Sequence, residues 1–253
     1  MKTVKVEFPN DKGLKLAGSI DMPVHKHENA KFAIFAHCFT CSKELKAIQN
    51  ISLPLTRCGI SVLRFDMTGI GDSEGDFPET NFSTQIADFL AAAAFLKREY
   101  GAPSLLMGHS LGGCVAIYAA SKLPETKAVV TIASPEEPAN LSVKLKRTKQ
   151  RAIKYGVAEA EIGGVKFNFK PQFFSDIETY NLKAVQKSLH VPYLAMHSVA
   201  DTYSDFENAE ILYRHANHPK SLISLDDIDH LMLKKEDAIY VGELIAVWSS
   251  KYI

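Results

Sequence analysis

No run of apolar residues approaches the roughly 18 that a membrane span needs, because Lys, Asp or Gly breaks the longest candidates. An excess of either charge is also missing: 29 Lys and Arg face 29 Asp and Glu. No global field therefore draws the chain to nucleic acid or to an anionic membrane. Met1-Lys2-Thr3-Val4-Lys5-Val6-Glu7-Phe8 alternates polar with apolar and never supplies the apolar core of an export signal, so a soluble, cytoplasmic protein is expected. Cysteine is sparse: Cys38, Cys41, Cys58 and Cys114 are the only four. Without an export signal they are expected as free thiols rather than as a disulfide framework. Internal repeats and low-complexity segments are absent as well.

What the chain does have is apolar content, 46% of its 253 residues, enough to bury one substantial core. A single domain over residues 1–253 is expected. Residues 3–8 and 14–21 alternate with period two around the turn residues Pro9-Asn10-Asp11-Lys12-Gly13, which predicts an antiparallel hairpin. Short runs apolar on both faces follow at 32–36, 61–65, 104–107, 128–133, 191–196 and 221–225, the pattern of buried parallel strands. Segments 43–57, 83–100, 111–123, 205–216 and 236–251 carry apolar residues at three- and four-residue spacing, as amphipathic helices do. The alternation predicts an α/β protein with a mostly parallel central sheet and helices on both faces. Sites in such sheets gather at the carboxyl ends of the strands.

One region breaks the pattern. About fifty residues, 136–186, separate two strands that need only one helix between them, and they are read as an insertion over the sheet. Its first part holds Lys144, Lys146, Arg147, Lys149, Arg151 and Lys154, either a solvated helix face or a lid that attracts anionic substrates. Its second part, 157–169, reads as a hairpin around Gly163-Gly164 with Val165, Phe167 and Phe169 on one face.

Gly108-His109-Ser110-Leu111-Gly112 is a Gly-x-Ser-x-Gly turn, a weak signal alone. A predicted strand runs straight into it and a predicted helix straight out, and that setting gives it meaning. A tight strand-to-helix turn strains the backbone at serine, needs small flanking residues, and lifts the hydroxyl toward the positive end of the helix. The backbone N–H of Leu111 can then bind a developing oxyanion. A glycine-rich turn that merely packs a helix against a strand is the bland alternative.

Serine needs a base, usually histidine held by a carboxylate. His230 follows the last predicted strand in Asp226-Asp227-Ile228-Asp229-His230-Leu231. His109, next to the serine at a sharp turn, should point elsewhere, while His25, His27, His215 and His218 read as surface residues. Asp201 follows the strand 191–196, which completes the chain order Ser110, Asp201, His230 expected for this kind of site. Asp205 is its rival, with helix capping as the bland role.

Across nearly its whole length the sequence resembles the α/β-hydrolase superfamily. The likeness is carried by Ala36-His37-Cys38-Phe39-Thr40-Cys41-Ser42-Lys43, by residues 64–75 (Arg-Phe-Asp-Met-Thr-Gly-Ile-Gly-Asp-Ser-Glu-Gly), by the serine turn, and by the Asp201 and His230 loops. Within it the chain is similar to small esterases with an inserted lid, such as cinnamoyl esterases, and to hydrolase domains that precede an osmotically inducible protein C-like domain. No such second domain follows in the sequence, so functions that need it in the same chain are not expected. In the family's His-Gly-x segment the third residue lends its N–H to the oxyanion hole, which the resemblance maps to Phe39. Cys38 stands where glycine is usual, and Ser198 likewise.

The resemblance implies a carboxylesterase that cleaves short acyl or aryl esters, with a small-molecule ester as its partner and neither cofactor nor metal. A homodimer is left open. Two other readings stand beside it. One is a thiol-redox protein using Cys38-Phe39-Thr40-Cys41, a C-x-x-C after a buried strand; the other is a non-catalytic binding module on the same fold. A zinc site lacks the second C-x-x-C it would want.

Overall fold

A computed structural model describes residues 1–24 and 30–253, so His25 and His27 lie outside the described residues. The amino-terminal hairpin is β1 (Lys2–Pro9) and β2 (Lys15–Met22), paired antiparallel. Its turn is tied by Asn10, whose side-chain oxygen accepts from the N–H groups of Lys12 and Leu14. The buried runs become β3 (Lys31–Ala36), β4 (Ile60–Phe65), β5 (Leu105–His109), β6 (Ala128–Ile132), β9 (Tyr193–Ser198) and β10 (Lys220–Leu225). They form one eight-stranded sheet with the hairpin, in the order β1-β2-β4-β3-β5-β6-β9-β10. From β4 to β10 every pairing is parallel.

Period two along the strands sends side chains to two apolar layers. In β3, Phe32, Ile34 and Ala36 enter one layer while Ala33 and Phe35 enter the other. The first layer is closed by α2 (Phe82–Glu99), α3 (Leu111–Ala120) and α8 (Glu207–His215), the second by α1 (Lys46–Arg57) and α9 (Lys235–Ser249). Each fully buried Phe or Leu side chain contributes about 1.5–3 kcal/mol relative to exposure, so the two layers hold the sheet from both sides.

The helix expected from residue 43 starts at Lys46. Lys43 is drawn instead into a buried network: its N–H donates to Asp66 Oδ1 at 2.6 Å, and its ammonium pairs with Asp66 at 2.7 Å and Asp72 at 2.6 Å. A helical turn here would break those contacts.

The insertion contains α4 (Asn140–Lys144), α5 (Lys146–Tyr155), a separate hairpin of β7 (Ala158–Ile162) and β8 (Val165–Phe169), α6 (Pro171–Ile177) and α7 (Leu182–Ser188). The hairpin turns at Gly163-Gly164 as expected. Its apolar face is graded: Phe169 is buried, Phe167 half-buried and Val165 exposed near the tip. The insertion rests on the body through rings, Phe169 and Phe173 lying 5.9 and 5.2 Å from Phe39, and Phe167 lying 4.8 Å from Phe77.

Candidate active site

Four neighbouring loops converge at the carboxyl edge of the sheet. Ser110 follows β5 with φ 54° and ψ −127°, a left-handed conformation a serine holds only under constraint. The constraint is crowding by backbone. A Cβ on Gly108 would lie 2.1 Å from the Gly112 carbonyl oxygen, and one on Gly112 would lie 2.4 Å from that of Ala36. Strand, turn and helix therefore close on each other with no room for side chains, and the end of β3 is pressed against the first turn of α3.

That contact brings the loop after β3 beside the serine. Phe39 and Leu111 are both buried, and neither backbone N–H has an acceptor among the described residues. Orphan N–H groups at a helix start and a neighbouring loop are suited to an anion. His37 fixes the loop: its Nδ1–H donates to the Cys38 carbonyl at 2.7 Å, and its Nε2 accepts the Met67 N–H at 3.3 Å. Burial holds the His37 imidazole below its ordinary pKa, so it serves as a neutral strut.

Asp201 and His230 meet, Oδ2 and Nδ1 lying 2.7 Å apart. Asp201 is well supplied with donors. Its Oδ1 accepts the N–H groups of Tyr203 at 2.7 Å and Ser204 at 3.0 Å, and His197 Nε2 stands 3.3 Å from Oδ2. Burial opposes its charge, but the nearby His197 ring, whose Nε2–H is given to the Ser204 carbonyl at 2.8 Å, and hydrogen bonds from His230 and the Ser204 N–H hold the carboxyl well below the usual range. Asp205 is exposed; its backbone carbonyl, not its carboxylate, accepts from Asn208 at the start of α8, so the expected capping role is not seen.

His230 is carried by a turn that Asp229 organises, its carboxylate accepting the N–H groups of Leu231 and Leu233 at 3.0 Å each. The left-handed residues Asp227 and Met232 flank that turn. His109 makes no hydrogen bond to Ser110 and turns to the His230 loop instead: its ring is 4.9 Å from that of His230, and its Nε2–H donates to the His230 carbonyl at 2.7 Å. The residue beside Ser110 thus supports the loop that bears the histidine. Burial and the nearby His230 push its pKa down to about 3, and its Nδ1 has no partner. The Ser110 hydroxyl makes no hydrogen bond among the described residues, as is common before substrate tightens such a site.

Three residues near the site make contacts that the sequence did not show, although Lys144 stands in the basic stretch already noted. Tyr203 stacks on His230 with ring centroids 5.1 Å apart and planes at 21°. Lys144 of the insertion reaches the Tyr203 carbonyl and lies 5.7 Å over its ring, so the insertion touches the histidine's neighbour directly. His197 is the third, and its position four residues before Asp201 was the one available clue. His215 is half-buried and His218 exposed. Among the described residues no three His, Cys, Asp or Glu side chains are arranged to hold a metal.

The expectation of four free thiols fails for one pair. Cys38 and Cys41 are joined by a disulfide, because the turn between them brings their Cα atoms to 5.3 Å. Cys58 is exposed and free, while Cys114 is free and buried in α3, its thiol pushed up well above the ordinary value by burial.

Comparison with known proteins agrees with this architecture. A family model described as serine aminopeptidase, S33, matches residues 34–155. The chain is similar to the crystal structure of the esterase domain from a Rhodothermus marinus protein, with 40% identity, a TM-score of 0.80, and coverage of 100% of this chain and 99% of that one. It is similar to the monoglyceride lipase of Homo sapiens, 24% identical over 208 residues, which are 70% of this chain and 69% of the lipase. Est1E from Butyrivibrio proteoclasticus, solved with ferulic acid bound, shares the fold at a TM-score of 0.79 and 20% identity, with 98% of each chain covered.

Proposed function

The chain belongs to the α/β-hydrolase superfamily, among its esterases and lipases, and on that premise we propose that it is a serine carboxylesterase acting on short acyl or aryl esters. Ser110 is the nucleophile, His230 its base and Asp201 the carboxylate that orients the base. The observation that carries this reading is the 2.7 Å contact between His230 Nδ1 and Asp201, with a serine held at positive φ on the same carboxyl edge of the sheet.

The chemistry follows from the geometry. With Asp201 accepting the Nδ1–H, Nε2 of His230 is left as the free lone pair that takes the Ser110 proton. The alkoxide attacks the ester carbonyl, and the N–H groups of Leu111 and Phe39 receive the negative charge of the tetrahedral intermediate. His230 then gives its proton to the leaving alcohol. Water attacks the acyl-enzyme by the same route in reverse, which regenerates Ser110.

The insertion serves as a lid in this reading. Phe169 and Phe173 on Phe39, and Phe167 on Phe77, set an aromatic wall beside the residue that lends the second oxyanion donor, and such a wall suits an aryl or short acyl group. No helix among the described residues is long and apolar enough to cross a membrane, and a cytoplasmic location is part of the proposal. Ser110→Ala should lower turnover of p-nitrophenyl acetate by about 10³-fold or more at unchanged folding. Turnover equal to that of the parent protein would remove Ser110 from the mechanism.

A further inference from the structure

The loop between β3 and α1 is anchored at both ends and stapled in between. His37 fixes its start through the Cys38 carbonyl and the Met67 N–H. Lys43 fixes its end through Asp66 and Asp72. Between them Cys38 to Cys41 form a four-residue turn, closed by the Cys41 N–H donating to the Cys38 carbonyl at 3.1 Å and by the disulfide. Phe39 is the second residue of that turn, a position whose N–H takes no part in the turn's own hydrogen bond. The staple therefore brackets the N–H that the proposed mechanism uses.

Global stability is a poor explanation for the bond. The stabilisation from a cross-link grows with the loop it closes, and two intervening residues make one of the shortest loops possible. Disulfides in reducing compartments, moreover, are usually catalytic or redox-sensing.

We propose that Cys38–Cys41 is a redox-modified site that sets the strength of the oxyanion hole, the disulfide form holding the Phe39 N–H in place and the dithiol form releasing it. The proposal rests on the assignment of Phe39 as an oxyanion donor. The reductant it takes is a small or protein-borne dithiol. Cys41 is half-buried and Cys38 only 6% exposed, so the incoming thiolate attacks Sγ of Cys41 and Cys38 leaves as a thiolate that picks up a proton. The second thiol of the reductant then attacks the mixed disulfide and frees Cys41. Two electrons and two protons pass to the protein, and the reductant departs as its own disulfide.

Reduction removes the covalent half of the turn and leaves one backbone hydrogen bond across it. The ring of Phe39 stays packed on Phe77, Phe169 and Phe173, so the loop loosens without leaving the body. An oxyanion contact acts in the transition state and scarcely in the ground state, so kcat should fall while KM holds.

The test is made in a Cys58→Ser background, which removes the exposed thiol. The constants kcat and KM for p-nitrophenyl acetate are measured before and after dithiothreitol, with the thiols of each form counted by alkylation and mass. Reduction should lower kcat by about tenfold or more with KM changed by less than about threefold, and reoxidation with oxidised glutathione after removal of dithiothreitol should restore it. Cys41→Ser and Cys38→Ser should show the low kcat and ignore both reagents. Equal kcat in verified disulfide and dithiol forms overturns the proposal and leaves the triad standing, as does a kcat loss that merely tracks loss of folded protein by circular dichroism. Absence of Ser110-dependent hydrolysis in both forms overturns the underlying mechanism, and this proposal with it.

Discussion

At Asp201 two opposing effects meet, and the magnitudes decide between them. Burial disfavours a carboxylate, yet three donors converge on it, from His230, Tyr203 and Ser204, with the His197 ring close by, and the charge survives. His109 shows the reverse outcome: buried beside His230, it stays neutral, with a pKa near 3 against an ordinary 6.5. Its folded value lies below the unfolded one, so the unfolded chain binds the extra proton. The stabilisation is complete above pH 6.5 and is lost as the pH falls toward 3. From His109 alone, unfolding free energy should drop by about 2 kcal/mol between pH 7 and pH 5. Urea titrations at the two values measure it, and His109→Gln should show a smaller drop. A parent protein equally stable at both would contradict the burial assigned to this ring.

Ser110, Asp201 and His230 were legible as residues because each sits in a short signal: a glycine-flanked turn, a strand end, an acidic loop. Tyr203, His197 and His109 were not, since what they do depends on which side chain the fold sets against them. The cysteine pair was visible as C-x-x-C, but composition pointed to thiols. The decisive fact, a turn narrow enough for a bond, belongs to three dimensions.

Among elements, the strand β5, the serine turn and α3 act as one unit because backbone packs on backbone. Gly108→Ala puts a methyl 2.1 Å from the Gly112 carbonyl oxygen, where no side chain can swing aside. It should cost about 3 kcal/mol or more, read as a fall in urea midpoint. Gly163→Ala, at the tip of the β7–β8 hairpin, meets nothing within 4 Å and strains only its left-handed φ of 60°. It should cost about 1–2 kcal/mol. Similar losses at the two sites would show that the elbow is not close-packed. Element order followed from hydrophobic period, which burial on both faces enforces. Boundaries followed less well, as at Lys43, where an ion pair to Asp66 outweighs helical propensity. The hairpin of the insertion was readable from Gly163-Gly164, whereas its docking onto Phe39 and Phe77 was not, because long-range aromatic contacts leave no periodic trace.

On the scale of the whole molecule, a sheet parallel from β4 to β10 sets β3, β5, β6, β9 and β10 side by side with their carboxyl ends aligned. Residues 39, 111, 201 and 230, far apart in the chain, are collected on that edge, and the insertion leans over it through Lys144 and the phenylalanine cluster. The even balance of 29 positive and 29 negative residues leaves substrate choice to this edge rather than to a global field. The most direct measurement is reaction with a fluorophosphonate probe, with the labelled peptide identified by mass spectrometry. One adduct per chain on Ser110 is expected, abolished by Ser110→Ala and slowed by about 10²-fold or more in His230→Ala. A folded, ester-hydrolysing protein that takes the probe elsewhere, or not at all, would contradict the mechanism.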